Sequence, residues 1–361
     1  MIELSLCMIV RDEEKVLKRC LESVHEVVEE IIIIDTGSVD RTMEIAAAYT
    51  DKIYTMPWKN DFSAARNFAF SKAGKEYLLW MDADDVLPAC EKAKLIALKK
   101  QISETDADCV MLPYDAAFDT QGRAVFTYER ERIVRNCPQA RWQGRVHEVI
   151  PPFGKILHGQ VHLEHRKEAQ EYSERNLQIY EQMRQDGVSL DAREQFYYAR
   201  ECYYHKKYAK AVIWFWKFLY NEAGWVENKI EACRFLYLCL MELEAEKEAV
   251  AALLQGLLLA PPNGELCCTL GQYFWQKGEW KQATFWYENA LHAQKRTESG
   301  AFIEEDCYGY LPCIQLCVCY DRLGEREKAK MYNDMAGMFK PQDAAVEWNR
   351  KYFDKNEKSS G

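Results

Sequence analysis

No Cys-x-x-Cys pair occurs among the fourteen cysteines of this 361-residue chain, so they fit no disulfide or zinc framework. Cys267 and Cys268, and then Cys313, Cys317 and Cys319, fall on helical patterns among leucine, isoleucine and tyrosine, where a free thiol acts as a small apolar side chain. So many thiols outside a framework point to a reducing compartment. Long apolar runs are missing too. Residues 31–34 are all isoleucine, but a bilayer span needs roughly 20 apolar residues. The first ten residues lack the basic start and cleavage site of a secretory signal. A cytoplasmic location is therefore expected, with peripheral attachment to a membrane left open. Positive charge is in deficit: 47 lysines and arginines face 57 acids, a net charge of -10. A general nucleic-acid partner is excluded on that ground, because such proteins need excess cations to displace counterions.

What is present is ordinary globular composition, 48% hydrophobic and 29% charged, in a chain long enough for two or three domains. The first ~90 residues alternate strand and helix. Residues 4–10 read as a buried strand, and Asp12 is placed to cap a helix whose apolar stripe is Val16, Leu17, Cys20, Leu21 and Val24. Residues 31–34, β-branched throughout, read as a strand covered on both faces. A helix through Met43, Ile45 and Ala46, a strand at 52–56, a helix at 63–72 with Ser63 as its N-cap, and a strand at 77–81 complete the pattern. The alternation predicts a largely parallel sheet with helices on both faces. Two acidic clusters, Asp35 and Asp82-Ala83-Asp84-Asp85, follow strands directly, where open α/β sheets bind ligands.

From about residue 109 to 165 the pattern changes to strands rich in aromatic and basic residues, and from about 167 to 341 to helices alone, with a boundary near Arg166. The helical part contains weak repeats. Ala211 with Phe215, Ala249 with Leu253, Ala283 with Tyr287 and Ala329 with Asn333 recur at intervals of 38, 34 and 46 residues. The third unit adds Leu270-Gly271, Phe274, Gly278 and Ala290, and the spacing resembles the tetratricopeptide repeat, whose helix pairs of ~34 residues stack on a shared core. An insertion at 295–306 is expected as a loop, and the polar tail 356–361 as disordered.

Asp82-Ala83-Asp84 carries the chemical argument. A nucleotide diphosphate concentrates negative charge, and a divalent cation held by hard carboxylate oxygens can bridge it to a protein. A solvated turn with a helix cap is the alternative for this tripeptide alone. Its neighbours add to the case. Leu6-Cys7-Met8-Ile9-Val10-Arg11-Asp12-Glu13-Glu14, Ile33-Ile34-Asp35-Thr36-Gly37-Ser38-Val39-Asp40-Arg41-Thr42, Asp61-Phe62-Ser63-Ala64-Ala65-Arg66-Asn67 and Met81-Asp82-Ala83-Asp84-Asp85 occur in order over the first ~90 residues. With them the chain resembles the family 2 glycosyltransferases, of GT-A fold. The later Val146-His147-Glu148 and the appended repeats make it similar to the bacterial subgroup of peptide S-glycosyltransferases and lipopolysaccharide-core glucosyltransferases.

The resemblance implies an α/β GT-A domain over 1–166, with a nucleotide-sugar half at 1–108 and an acceptor half at 109–166. Tetratricopeptide-like repeats over 167–341 and a terminal helix and tail over 342–361 follow. It implies inverting transfer of a hexose or N-acetylhexosamine from a UDP-sugar to a peptide, glycan or lipid-linked acceptor. Donor contacts would come from Val10, Arg11, Glu13, Asp35, Gly37, Arg66, Asp82, Ala83, Asp84 and Arg132. Asp35 would accept from the base, and Arg66 would grip a carboxylate or the diphosphate, or else form a salt bridge to Asp82 or Asp84. A manganese or magnesium ion would be held by Asp82, Asp84 and a late histidine, His165 in preference to His162. Glu148 is the candidate general base, ahead of Asp115 and Asp119, although the Glu-Asp pair usual in the family is absent from its segment. Trp142 and His147 are candidate acceptor contacts, Trp142 with core packing as its alternative. The repeats would hold the acceptor or support a homodimer. A repeat scaffold with a degenerate sugar-nucleotide domain remains the competing reading.

Overall fold

The computed structural model describes residues 1–167, 173–296 and 301–358. Its contacts divide the chain into two compact units, Met1–His205 and Lys206–Gly361. The first unit has nine strands among its described residues: β1 (Leu4–Val10), β2 (Glu30–Asp35), β3 (Ile53–Thr55), β4 (Tyr77–Trp80), β5 (Asp85–Val86), β6 (Cys109–Phe118), β7 (Ala124–Arg135), β8 (Ile156–His158) and β9 (Leu163–His165). Its helices are α1 (Leu17–Val24), α2 (Thr42–Ala47), α3 (Phe62–Phe70), α4 (Lys92–Thr105), α5 (Arg175–Gln185) and α6 (Ala192–Tyr204). The strand order is β3-β2-β1-β4-β7-β6-β9-β5, with β8 also paired to β6. β1 to β4 run parallel, whereas β7 joins antiparallel to β4 and forms a long hairpin with β6.

The pleat explains why β1 and β2 read as unbroken apolar runs. Leu4, Leu6, Met8 and Val10 of β1 and Ile31 and Ile33 of β2 point to one face, where Leu17, Cys20, Leu21 and Val24 of α1 cover them. Cys7, Ile32 and Ile34 point to the other, against Ala69 and Phe70 of α3. With both faces buried, no polar alternation is possible. The expected stripe of α1 is therefore borne out, but its cap is not. α1 starts at Leu17 behind Val16, while Asp12 takes a left-handed conformation (φ 55°) and its carboxylate accepts from the Val39 N–H. Likewise Asp61, not Ser63, caps α3 by accepting from the Ala64 N–H; the Ser63 hydroxyl instead donates to the Gly144 carbonyl.

The second unit is helical: α7 (Tyr208–Leu219), α8 (Val226–Glu242), α9 (Glu246–Leu259), α10 (Gly264–Gln276), α11 (Trp280–His292), α12 (Tyr310–Arg322), α13 (Arg326–Phe339) and α14 (Ala344–Lys358). α8 packs on α9, α10 on α11 and α12 on α13, the tetratricopeptide-like pairing. Ala211, Ala249, Ala283 and Ala329 are all fully buried, as are their partners four residues on. Five residues before each alanine the backbone turns left-handed, at Lys206, Glu244, Gly278 and Gly324. The unequal intervals thus conceal one conserved turn geometry. Gly271 permits a close approach within the α10–α11 pair: a Cβ there would lie 2.8 Å from the Tyr287 ring. Part of the 295–306 insertion, 297–300, lies outside the described residues; Glu305–Tyr308 is a turn of 3-10 helix. The tail is helical as far as Lys358, with 359–361 outside the described residues. No described helix is long and apolar enough to cross a membrane. All fourteen cysteines are free thiols.

Candidate functional site

The carboxyl ends of β1, β2 and β4 open onto a cleft of about 270 Å³. A single water needs only about 15 Å³ by this measure, so the space suits a ligand and not merely an ion. Val10, Arg11, Glu13 and Thr36 line it from the ends of β1 and β2, and Asp82, Ala83 and Asp84 from the turn after β4. Arg66 enters from α3, and His165 from β9.

The turn after β4 is held from behind. Asp85 is fully buried, and its carboxylate accepts from the Asp82 N–H (3.0 Å), the Tyr114 hydroxyl (2.6 Å) and Arg132 (2.8 Å). Burial alone would raise its carboxyl, but Arg132, His165 and Tyr114 outweigh that and hold it below the usual carboxylate range. β5 pairs antiparallel with β9, setting Asp85 opposite His165, and the Arg166 N–H donates to the Asp84 carbonyl. His165 Nδ1 then lies 3.3 Å from Asp84 and 3.6 Å from Asp85, buried and without a hydrogen bond. Burial lowers this imidazole, yet the two carboxylates reverse the effect and raise it to about 9. An orphaned ring nitrogen aimed at two carboxylates fits a divalent cation, because Asp84, Asp85 and His165 offer oxygen and nitrogen ligand atoms within 4.8 Å of one another. Asp85 already accepts three hydrogen bonds, so Asp84 and His165 are the better placed of the three to hold a cation, with Asp85 behind them.

Arg66 organises the other wall. Its Nε donates to Glu148 and an Nη to Asp82, both at 2.7 Å, while the guanidinium lies 5.0 Å from the Trp80 ring and 4.8 Å from Trp142. Burial acts to lower the arginine, but the two carboxylates raise it further. Asp82 lines the cleft with one oxygen engaged by Arg66. Glu13, on the same side, forms the opposite case. Burial and the nearby Asp84 and Asp82 raise its carboxyl to about 7, with Arg175 partly offsetting them. Three acids crowd a space whose committed cation, Arg66, is already paired.

Of the expected site residues, Val10, Arg11, Glu13, Arg66, Asp82, Ala83, Asp84 and His165 line the cleft. Asp35 and Gly37 lie beside it, the Asp35 carboxylate accepting from the Gly37 and Ser38 N–H groups. Two expectations need correction. Arg132 has no exposed surface; it lies against the Trp80 and Tyr114 rings and is ion-paired with Asp85, so it is not placed to contact a donor. Trp142 is 2% exposed, in core contact with Phe70 and Trp80, and offers no face to an acceptor. His147 does not line the cleft; it stacks on Tyr197 and bonds Glu201 at 2.7 Å. Glu148, its side chain 10% exposed, turns to Arg66. His162 pairs with Asp115 at 3.0 Å, apart from the acidic turn.

Asp85 was expected only as part of the acidic cluster, and Ile9, Thr36, Trp58, Phe62, Lys167 and Arg175 were not expected among the lining residues. Asp85 and Phe62 stood inside recognised motifs; Arg175, on a helix far along the chain, had no local signal.

Residues 5–158 match the Glycosyl transferase family 2. A TPR repeat-containing protein of Synechococcus elongatus is 39% identical over 152 residues, which cover 42% of this chain and 36% of that protein. The glycosyltransferase SunS of Bacillus subtilis is 32% identical over 143 residues, 39% of this chain and 33% of SunS. LpsC of Rhizobium meliloti, a lipopolysaccharide core biosynthesis glycosyltransferase, is 26% identical over 170 residues, 43% of this chain and 59% of LpsC. The chain thus spans about a third of the length of the first two relatives. Its N-terminal mixed sheet thus carries the match to the Glycosyl transferase family 2, and tetratricopeptide-like helical pairs follow it.

Proposed function

We propose that the chain is a glycosyltransferase that moves a hexose or N-acetylhexosamine from a UDP-sugar to an acceptor, with inversion at the anomeric carbon. The observation that carries this reading is the convergence of Asp84 and the unpartnered His165 Nδ1 in a ligand-sized cleft of a family 2 domain. Asp84 and His165 would hold manganese or magnesium, with Asp82 beside them; negative charge on the leaving diphosphate would be offset by the ion bound there. Arg66 fixes Asp82 in place through its buried ion pair. The acceptor's oxygen or sulfur bonds to the anomeric carbon as the carbon–oxygen bond to the diphosphate breaks. Glu148 is the carboxylate proposed to take the acceptor's proton; because it lies behind the cleft lining on Arg66, that step requires the pair to open.

The name of LpsC supports a glycan or lipid-linked acceptor, and the resemblance to peptide S-glycosyltransferases supports a peptide. The helical unit is the proposed site of acceptor binding or of self-association. The experiment is donor hydrolysis. The full chain is incubated with manganese and UDP-glucose, UDP-galactose or UDP-N-acetylglucosamine, and UDP release is followed. Slow release from at least one donor, abolished by Asp84→Ala, is expected. A folded protein that releases UDP from none of them contradicts the reading.

A further inference from the structure

We infer that Arg175 binds the terminal phosphate of the donor nucleotide and so sets the preference of this cleft for a nucleoside diphosphate over a monophosphate. The inference rests on the donor reading above and deepens it. Arg175 is the first residue of α5, beyond the segment that matches the family, yet it lines the same cleft as Asp82, Asp84 and His165. Its guanidinium carbon sits 4.7 Å from the centre of the Phe62 ring, a cation–π contact that helps to hold the cation at the wall of the cleft.

The other arginines of the cleft are differently placed, and Lys167, which also lines it, is exposed and offers a point charge without a planar fork. Arg66 spends its N–H groups on Asp82 and Glu148. Arg11 stands near Asp12 at 3.8 Å with about half of its side chain exposed. Arg175 forms no ion pair among the described residues, although the charges of Glu13, Glu148 and Asp82 act on it. It therefore faces the acidic end of the cleft without being consumed by any one acid. Placement of a bound cation at Asp84 and His165 puts the diphosphate at that end. One divalent ion does not cancel all of a diphosphate's charge, and a planar N–H fork suits the remaining phosphate oxygens. A residue serving structure alone would be expected to close on Glu13 as Arg66 closes on Glu148.

The test is titration calorimetry of the full chain with UDP and with UMP in the presence of manganese, for the unsubstituted protein, Arg175→Ala and Arg175→Lys. Circular dichroism checks that each variant is folded. Loss of a charge-assisted phosphate contact should weaken UDP binding by about 10–100-fold in Arg175→Ala. UMP binding should change less than about threefold, and Arg175→Lys should recover part of the UDP affinity. Equal weakening of UDP and UMP, or no weakening of either, overturns the inference and leaves the donor reading standing. If the unsubstituted protein binds neither nucleotide, the inference and the reading beneath it fall together.

Discussion

Replacing Arg66 by methionine keeps the unbranched aliphatic stem but removes the guanidinium that lies over Trp80 and Trp142 and between Asp82 and Glu148. The two carboxylates respond differently. Asp82 has 37% of its side chain exposed and can be rehydrated, whereas Glu148 has 10% and cannot. Breaking a buried ion pair from one side costs about 3–5 kcal/mol, and the two cation–π contacts add about 0.5–1 kcal/mol each. Rehydration of Asp82 and the retained aliphatic packing offset part of this, so a loss of about 3–4 kcal/mol is expected. Urea unfolding, followed by tryptophan fluorescence and near-ultraviolet dichroism, measures it. Arg66→Lys should recover little, because one ammonium does not span two carboxylates as a planar fork does. Arg66→Met combined with Glu148→Gln should recover at least about 1 kcal/mol, since the stranded buried charge is gone. A loss below about 1 kcal/mol for Arg66→Met, or no recovery in the double variant, would refute the view that this arginine holds the wall of the cleft together.

Further outcomes follow from individual groups. His165, raised to about 9, must shed a proton before its ring can bind a cation. Manganese affinity should therefore rise with pH between about 7 and 9, by up to about tenfold per unit, and His165→Gln should flatten that slope in a calorimetric pH series. Glu13 is shifted the other way from a stabilising carboxylate: its folded value of about 7 lies above the ordinary 4.5, so the native state holds the proton more tightly. It costs stability as pH rises through that window. Glu13→Gln should gain about 1–2 kcal/mol over the parent between pH 4.5 and 7.5, a figure reduced for partial exposure, and saturating manganese should shrink the difference. In the helical unit, Gly271→Ala should cost about 1–3 kcal/mol by driving a Cβ into Tyr287. Gly324→Ala should destabilise by about 1 kcal/mol while Glu244→Gly, at the equivalent left-handed turn, should be neutral or stabilising; thermal melts compare them.

The strands that dominate the core were legible because a covered parallel strand has to be apolar on both faces, and residues 4–10 and 31–34 have no other sensible placement. The repeats were legible from four small residues, since only alanine fits where helix pairs come closest. The register of β5 against β9 was not. Strands of two and three residues have no period, yet this short pairing is what sets His165 against the acidic turn. Arg132 and Trp142 were misplaced for a related reason. An arginine on a strand, or a tryptophan in the segment after it, reads alike in sequence whether it faces the ligand or the interior, and here Asp85 and Trp80 draw them inward. Arg175 was invisible because the fold, not the chain, brings α5 to the cleft.

Binding of UDP at Asp84 and His165 is the central claim. Titration calorimetry of the full chain with UDP, with and without manganese, alongside Asp84→Ala, is the decisive measurement. Binding that requires the metal and is lost in the variant is expected. Metal-independent binding, binding unchanged in Asp84→Ala, or no binding by a folded protein would contradict it.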